Sequence, residues 1–229
     1  MTAKILDIFK SVQGEGKFAG AMQVFVRFFE CNMHCVWCDT PASIGDTTRN
    51  YKEMTLEQVM GQIKKLWPGC QSVSLTGGEP LIQKDFISEL LPLLKEAGMP
   101  THLETNGILP EALKDVVDLV DVVAMDIKAP SSTKQKPYWS EQQAFLNIAR
   151  QKDVFVKLVV SKDTLQQDIE KAVKVVCEVD SSIMFILQPN TYELKEGALE
   201  RCLEFQSYCT KYLTDVRILP QIHKFLKIP

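Results

Sequence analysis

Cys31, Cys35 and Cys38 stand in a Cys-x3-Cys-x2-Cys spacing just after the apolar run Val24 to Phe29. Three thiols so close in sequence cannot all pair as disulfides, but one loop can wrap them round a single metal centre. A cubane iron–sulfur cluster normally takes four cysteines. Three together leave one iron without a protein ligand, and an open iron can bind a substrate or cofactor. Spacing alone leaves two other readings, a zinc site closed by His34 or a distant ligand and free thiols buried in a core. His34 lies between two of the cysteines, a poor place from which to close a tetrahedron with all three.

The remaining composition limits what surrounds such a centre. A chain of 229 residues, 45 % apolar and 24 % charged, fits one globular domain spanning 1–229. Its formal net charge of −3 gives no broad basic surface, which argues against nucleic acid as a partner. Lys and Arg are scattered, with one local group from Lys128 to Lys136. No apolar stretch approaches the length of a membrane span, and the N-terminus leads into a short alternating segment, not a secretory h-region. The expected compartment is the reducing cytoplasm. The other cysteines, Cys70, Cys177, Cys202 and Cys209, form no second cluster motif. Cys202 and Cys209 are seven apart in a helical pattern, so they should share an inward face.

Beyond the cysteines, short apolar runs alternate with amphipathic segments. Strands are expected at Val24–Phe29, Ser72–Leu75, Thr101–Glu104, Val122–Asp126, Val154–Val160 and Ile183–Leu187. Helices are expected at Leu56–Leu66, Lys84–Ala97, Pro110–Val117, Gln142–Arg150, Leu165–Val179 and Ala198–Tyr212. Thr55 with Gln58 makes a capping box, and Gly98 is a helix stop. This rhythm implies an α/β fold with a parallel sheet built from right-handed crossovers. Pro130 to Ser140, polar and with two prolines, is the expected mobile loop. Functional residues in such folds sit at the carboxyl ends of strands. The cysteine loop, Thr76-Gly77-Gly78-Glu79-Pro80, Glu104-Thr105-Asn106-Gly107, Asp126-Ile127-Lys128 and Gln188-Pro189-Asn190 all fall there.

The cysteine spacing, the aromatic Trp37 before the last thiol and the preceding strand resemble the cluster loop of the radical S-adenosylmethionine (SAM) superfamily. The resemblance implies a partial (β/α)6 barrel and a 4Fe-4S cluster whose open iron is chelated by SAM. Reductive cleavage of SAM there yields a radical that abstracts a substrate hydrogen. The Gly-Gly-Glu-Pro segment fits, because paired glycines let backbone approach a ligand and Glu79 can accept from the methionyl amine. A tight turn opening a helix is the plain alternative. By resemblance, Gly78 and Glu79 contact SAM. Asp126, Ile127 and Lys128, with Gln188, Pro189, Asn190 and Thr191, border its carboxylate, ribose or adenine, and Trp37 and Asp39 lie beside it. Asn106 either faces SAM or caps its own turn.

Substrate specificity has to come from elsewhere. Gln13 and Glu15, flanked by Gly14 and Gly16, offer amide and carboxylate groups suited to a flat heterocycle, since a carboxylate pairs well with two parallel N–H groups. The same segment also reads as a solvated turn. Arg27 lies inside an apolar run, where a charge must be paired or face a polar cavity. It either bridges to Glu30 or Glu15, or forms a guanidinium fork for a substrate carboxylate. Thr40, after Asp39, can ligate Mg²⁺, an oxygen-seeking ion, while Asp39 can instead cap its turn.

Together with Thr76 and the tail from His223 to Pro229, these segments resemble the 7-carboxy-7-deazaguanine synthases. That resemblance implies ring contraction of 6-carboxy-5,6,7,8-tetrahydropterin with loss of ammonia, on the route to queuosine and other deazapurines. It implies substrate contacts from Val12, Gln13, Gly14, Arg27, Thr76 and Pro229, further pocket residues in Glu15 and His223, and Mg²⁺ on Thr40. It also implies a homodimer and an electron donor such as flavodoxin or ferredoxin. Rival readings are a glycyl-radical activase acting on a protein partner and a non-catalytic zinc- or cluster-binding module.

Overall fold

The computed structural model describes residues 1–45 and 50–228. In chain order the elements are β1 (Thr2–Val12), β2 (Met22–Phe28), β3 (Lys52–Thr55), α1 (Leu56–Leu66), β4 (Ser72–Gly77) and α2 (Lys84–Glu96). Next come β5 (Thr101–Thr105), α3 (Pro110–Lys114), β6 (Val122–Ile127), α4 (Pro130–Thr133), α5 (Trp139–Ala149) and β7 (Asp153–Val160). The chain closes with α6 (Gln166–Cys177), β8 (Met184–Pro189), α7 (Ala198–Cys209), β9 (Val216–Ile218) and α8 (Ile222–Leu226). All the strands join one sheet in the order β3-β1-β2-β4-β5-β6-β7-β8-β9.

From β2 to β8 neighbouring strands run parallel, which is the six-strand partial barrel. β9 adds a seventh parallel strand, and β1 and β3 extend the other edge antiparallel. Those three strands were not expected. β3 and β9 are four and three residues long, too short to carry a hydrophobic period. The parallel strands are buried on both faces, as crossover helices require. Val24, Val26, Leu75, Leu103, Val123, Met125, Val156, Leu158, Phe185 and Leu187 belong to one core cluster with the inner faces of the helices.

The local signals explain the helix ends. Thr55 Oγ1 accepts from Gln58 N while Gln58 Oε1 accepts from Thr55 N, the capping box at α1. Gly98, at φ +66, follows α2 and bonds back to Lys95 O at 3.0 Å. Cys202 and Cys209 are both fully buried on α7. The segment Pro130 to Ser140 departs from expectation. It is not a loose loop: it opens with the helical turn α4, buries Ser132 and Thr133, and starts α5 at Trp139. Its prolines start α4 and lead into α5 instead of breaking structure.

Register places Gln13 to Ala21 at the opposite end of the barrel from the cysteines. Val12 pairs with Met22, the first residue of β2, and Gln13 N donates to Ala21 O at 2.7 Å. Lys17 pairs with Asp153 at the start of β7, and Phe18 packs on His102 near the start of β5. This hairpin therefore crosses beneath the amino ends of the parallel strands and floors the barrel.

Candidate functional site

Between that floor and the cysteine loop lies a cleft of about 1480 Å³, open mouth included. It is lined from the sequence-expected set by Val12, Gln13, Gly14, Glu15, Arg27 and Thr76, by all three cysteines, and by Trp37, Asp39 and Thr40. Gly78, Asp126, Lys128, Gln188, Asn190 and His223 complete that part of the wall.

The thiols of Cys31, Cys35 and Cys38 are free and half-buried. Burial pushes the Cys31 thiol up to about 11 and raises the other two. Each therefore gains from a cationic centre that takes it as thiolate. Among the described residues, only Glu15, Asp39 and His223 bring three ligand atoms within 4.8 Å of one another. Three thiols on one loop are one short of the four that a cubane cluster takes, a donor set that suits a cluster with one open iron.

The adjoining wall combines a tightly packed glycine with buried acceptors that have no donor among the described residues. A methyl at Gly78 would meet Glu30 C at 2.6 Å and Ser43 O at 2.8 Å, so only glycine lets the backbone pass here. Asp126 Oδ1 and Gln188 Oε1 are buried acceptors without a protein donor, and buried acceptors call for a partner. Lys128 Nζ donates to Asp126 Oδ2 at 2.7 Å and stands 4.9 Å from the centre of the Trp37 ring. Trp37 Nε1 donates to Ser132 Oγ at 2.8 Å, tying the cysteine loop to α4.

Four expected residues lie off the cleft wall. Glu79 is fully buried and absent from the cleft wall. It accepts from Leu81 N, Thr105 Oγ1 and Asn106 N at 2.8 to 3.1 Å. Burial raises its carboxyl to about 7, against the pull of those donors. It braces the turn after β5. Ile127 packs into the core, and Pro189 is buried outside the cleft wall. Thr191 is off the wall and donates to Gln221 Oε1 at 2.7 Å. Pro229 lies outside the described residues. Asn106 caps its own turn, its Oδ1 accepting from Ile108 N at 3.2 Å, and it also lines the cleft.

The second half of the cleft is polar and aromatic. Glu104, in the polar cluster that the sequence placed at a strand end, accepts from Gln13 Nε2 at 2.8 Å and from Ser74 and Thr76 hydroxyls at 2.9 Å. Phe9 and Phe25 stack at 5.1 Å, and the Arg27 guanidinium lies 5.0 Å from the centre of the Phe9 ring. The two carboxylates considered for Arg27 are engaged elsewhere: Glu30 with Lys4 at 2.8 Å and Glu15 with Lys157. No described carboxylate pairs with Arg27, whose guanidinium lines the cleft.

Glu15 has further partners in the tail. Gln221 Nε2 donates to Glu15 Oε1 at 2.5 Å and to Asp39 Oδ2 at 3.0 Å. Ile222 N donates to Gly14 O at 2.9 Å, and the His223 ring fills the place a side chain at Gly14 would take. Burial opposes ionisation of Glu15, but Lys157 beside it prevails and lowers the carboxyl to about 2. With Thr40 Oγ1 3.4 Å from Asp39 Oδ1, this corner gathers oxygen donors of the kind Mg²⁺ takes. The residues missed here, Lys157, His102, Phe155 and Gln221, come from strand interiors and the tail.

Comparison with known proteins supplies the lineage. The family model described as the radical SAM superfamily matches residues 26–176. A 7-carboxy-7-deazaguanine synthase of Geobacter sulfurreducens is 37 % identical over 98 % of this chain and 97 % of its own. The synthase of that name from Methanopyrus kandleri is 34 % identical over 97 % of this chain and 92 % of its own. The crystal structure of QueE from Escherichia coli superposes with a TM-score of 0.69 at 22 % identity, covering 96 % of this chain and 94 % of that one. A three-thiol loop, a glycine-lined wall and full-length relatives agree, and the chain belongs to the 7-carboxy-7-deazaguanine synthase family of radical SAM enzymes.

Proposed function

We propose that the cleft binds SAM against Gly78, Asp126, Lys128, Gln188 and Asn190, and 6-carboxy-5,6,7,8-tetrahydropterin against Gln13, Glu15, Arg27 and Thr76. The enzyme converts that pterin to 7-carboxy-7-deazaguanine with loss of ammonia, in deazapurine and queuosine biosynthesis. The observation that carries the substrate half is Arg27: a guanidinium without a described carboxylate partner, in the same cleft as the three thiols. It matches a carboxylated heterocycle, with a planar fork for the acid and Phe9 and Phe25 beside it.

Cys31, Cys35 and Cys38 hold the 4Fe-4S cluster in this reading, and Asp39 and Thr40 hold Mg²⁺. When bound, cluster and SAM supply a one-electron hydrogen abstraction at the pterin carbon bearing the carboxylate, and Mg²⁺ supplies a positive template for the substrate. The chain's own residues bind, orient and exclude water. Glu15, kept ionised by Lys157, accepts from the amino-pyrimidinone edge. The floor hairpin carries Phe18 against Phe155 and keeps bulk water from the far side. His223 and Gln221 bring the tail over the same corner.

An electron donor such as flavodoxin or ferredoxin, a homodimer and a cytoplasmic location complete the reading. Among the described residues no helix is long and apolar enough to cross a membrane. The test is anaerobic turnover of cluster-loaded protein with SAM and reductant, with and without the pterin, following deazaguanine by mass spectrometry. Product that requires the pterin supports the reading. SAM cleavage without pterin conversion refutes the substrate, and deoxyadenosine formed only with a protein partner favours the activase.

A further inference from the structure

One charged residue of the cleft has no role in the reading above beyond touching Glu15. Lys157 sits inside the apolar run of β7, on the strand next to Asp126 and in register with it. Its ammonium pairs with Glu15 on one side and lies 3.5 Å from Asp126 Oδ2 on the other. Asp126 in turn accepts from Lys128, which faces the Trp37 ring of the cysteine loop. Charges therefore alternate along one line, Glu15, Lys157, Asp126, Lys128. The four side chains are only 12 to 20 % exposed. One end of the line borders the pterin half and the other the SAM half. In such a shielded row, moving one charge is felt by its neighbours far more than it would be in water.

We propose that Lys157 is a positioning residue that couples pterin binding to SAM binding, by holding in register the carboxylate that meets each ligand. This rests on the assignment of the two halves given above. When the pterin draws Glu15 toward its amino edge, Lys157 is left nearer to Asp126. Asp126 is then fixed with its free oxygen, Oδ1, available to SAM. The linkage is reciprocal, so SAM must tighten the pterin by the same factor.

The experiment is equilibrium titration of anaerobic, cluster-loaded protein, measuring pterin affinity with and without SAM and SAM affinity with and without pterin. The wild type should show a mutual tightening of about 5- to 150-fold, the usual span of such coupling. Lys157→Met should bring that factor toward one, and Lys157→Arg, which keeps a cation between the carboxylates, should restore most of it. A role in stability alone would lower the melting temperature and leave the factor unchanged. Glu15→Gln breaks the other leg and should also reduce the factor, so it decides the matter if Lys157→Met does not fold. A wild-type factor of one, or an unchanged factor in Lys157→Met or in Glu15→Gln, overturns the proposal. Failure of the wild type to bind the pterin at all would instead overturn the substrate reading.

Discussion

Gly77 is the position where the demands of fold and site can be put into numbers. It ends β4, directly across from Phe28 at the end of β2, with φ at +135. That backbone is one an L side chain occupies at a cost of about 1–3 kcal/mol. A methyl there would also sit 2.5 Å from Phe28 N and 2.9 Å from Phe28 C, and closer still to the Phe28 carbonyl oxygen. Carbon contacts settle at about 3.5–4.0 Å, so β2 and β4 would have to part by about 1 Å. Both contacts are backbone, with no flexible side chain to swing aside. Overpacking of this kind costs about 1–3 kcal/mol more. Gly77→Ala should therefore lose about 4 kcal/mol, which for a chain of this size lowers the melting temperature by about 12 °C. Thermal unfolding of the metal-free protein by circular dichroism reads this directly, without cluster loss entering. A shift below about 2 °C would refute the steric argument and imply that the β2–β4 junction yields easily.

Arg27→Ala should leave the cluster spectrum intact and weaken pterin binding by about 10- to 150-fold, the worth of one charge-assisted pair of about 1.5–3 kcal/mol. Unchanged affinity would contradict the fork. Glu15 titrates at about 2 in the folded chain, below its ordinary 4.5. Its contribution to stability is therefore complete above about pH 4.5 and lost as pH falls toward 2. Urea midpoints across that range should fall less steeply in Glu15→Gln than in the wild type. Parallel slopes would show that the pair with Lys157 contributes nothing. Burial pushes the Cys202 and Cys209 thiols to about 12. Iodoacetamide should leave both unmodified in native metal-free protein while it labels the half-buried Cys31, Cys35 and Cys38, as peptide mass spectrometry would show. Native labelling of Cys202 would refute its place in the core.

The helices and the six central strands were legible because their periods are long and their ends carry chemical signals, such as Thr55 and Gly98. The edge strands were not, since β3 and β9 owe their pairing to neighbours and not to pattern. Within the site, the loops announced themselves through clustered Cys, Gly and Asp, and most of their residues reach one cleft. Glu79 shows what that signal leaves open. A carboxylate beside two glycines can turn to either side of the chain, and only the Thr105 and Asn106 donors decide which. Lys157 shows the reverse. It interrupts the apolar run Val154 to Val160 just as Arg27 interrupts Val24 to Phe29, and the rule that a buried charge needs a partner applied equally to both. The hairpin that floors the barrel needed the antiparallel pairing of β1 with β2, a long-range fact without a local signature.

The Asp126–Lys157 pairing across β6 and β7 also bears on how the sheet is assembled. Strands of near-uniform Val, Ile and Leu give hydrophobic burial little power to tell one register from the next. A slip by one residue turns every side chain to the opposite face. Here it would carry Lys157 from the lumen to the helix-covered side and strand an ammonium among core valines, a cost that no shift of apolar residues would impose. The same ion pair that borders both ligands therefore acts during folding as a check on strand alignment. A chain that has joined these two strands out of step is penalised before any ligand is present.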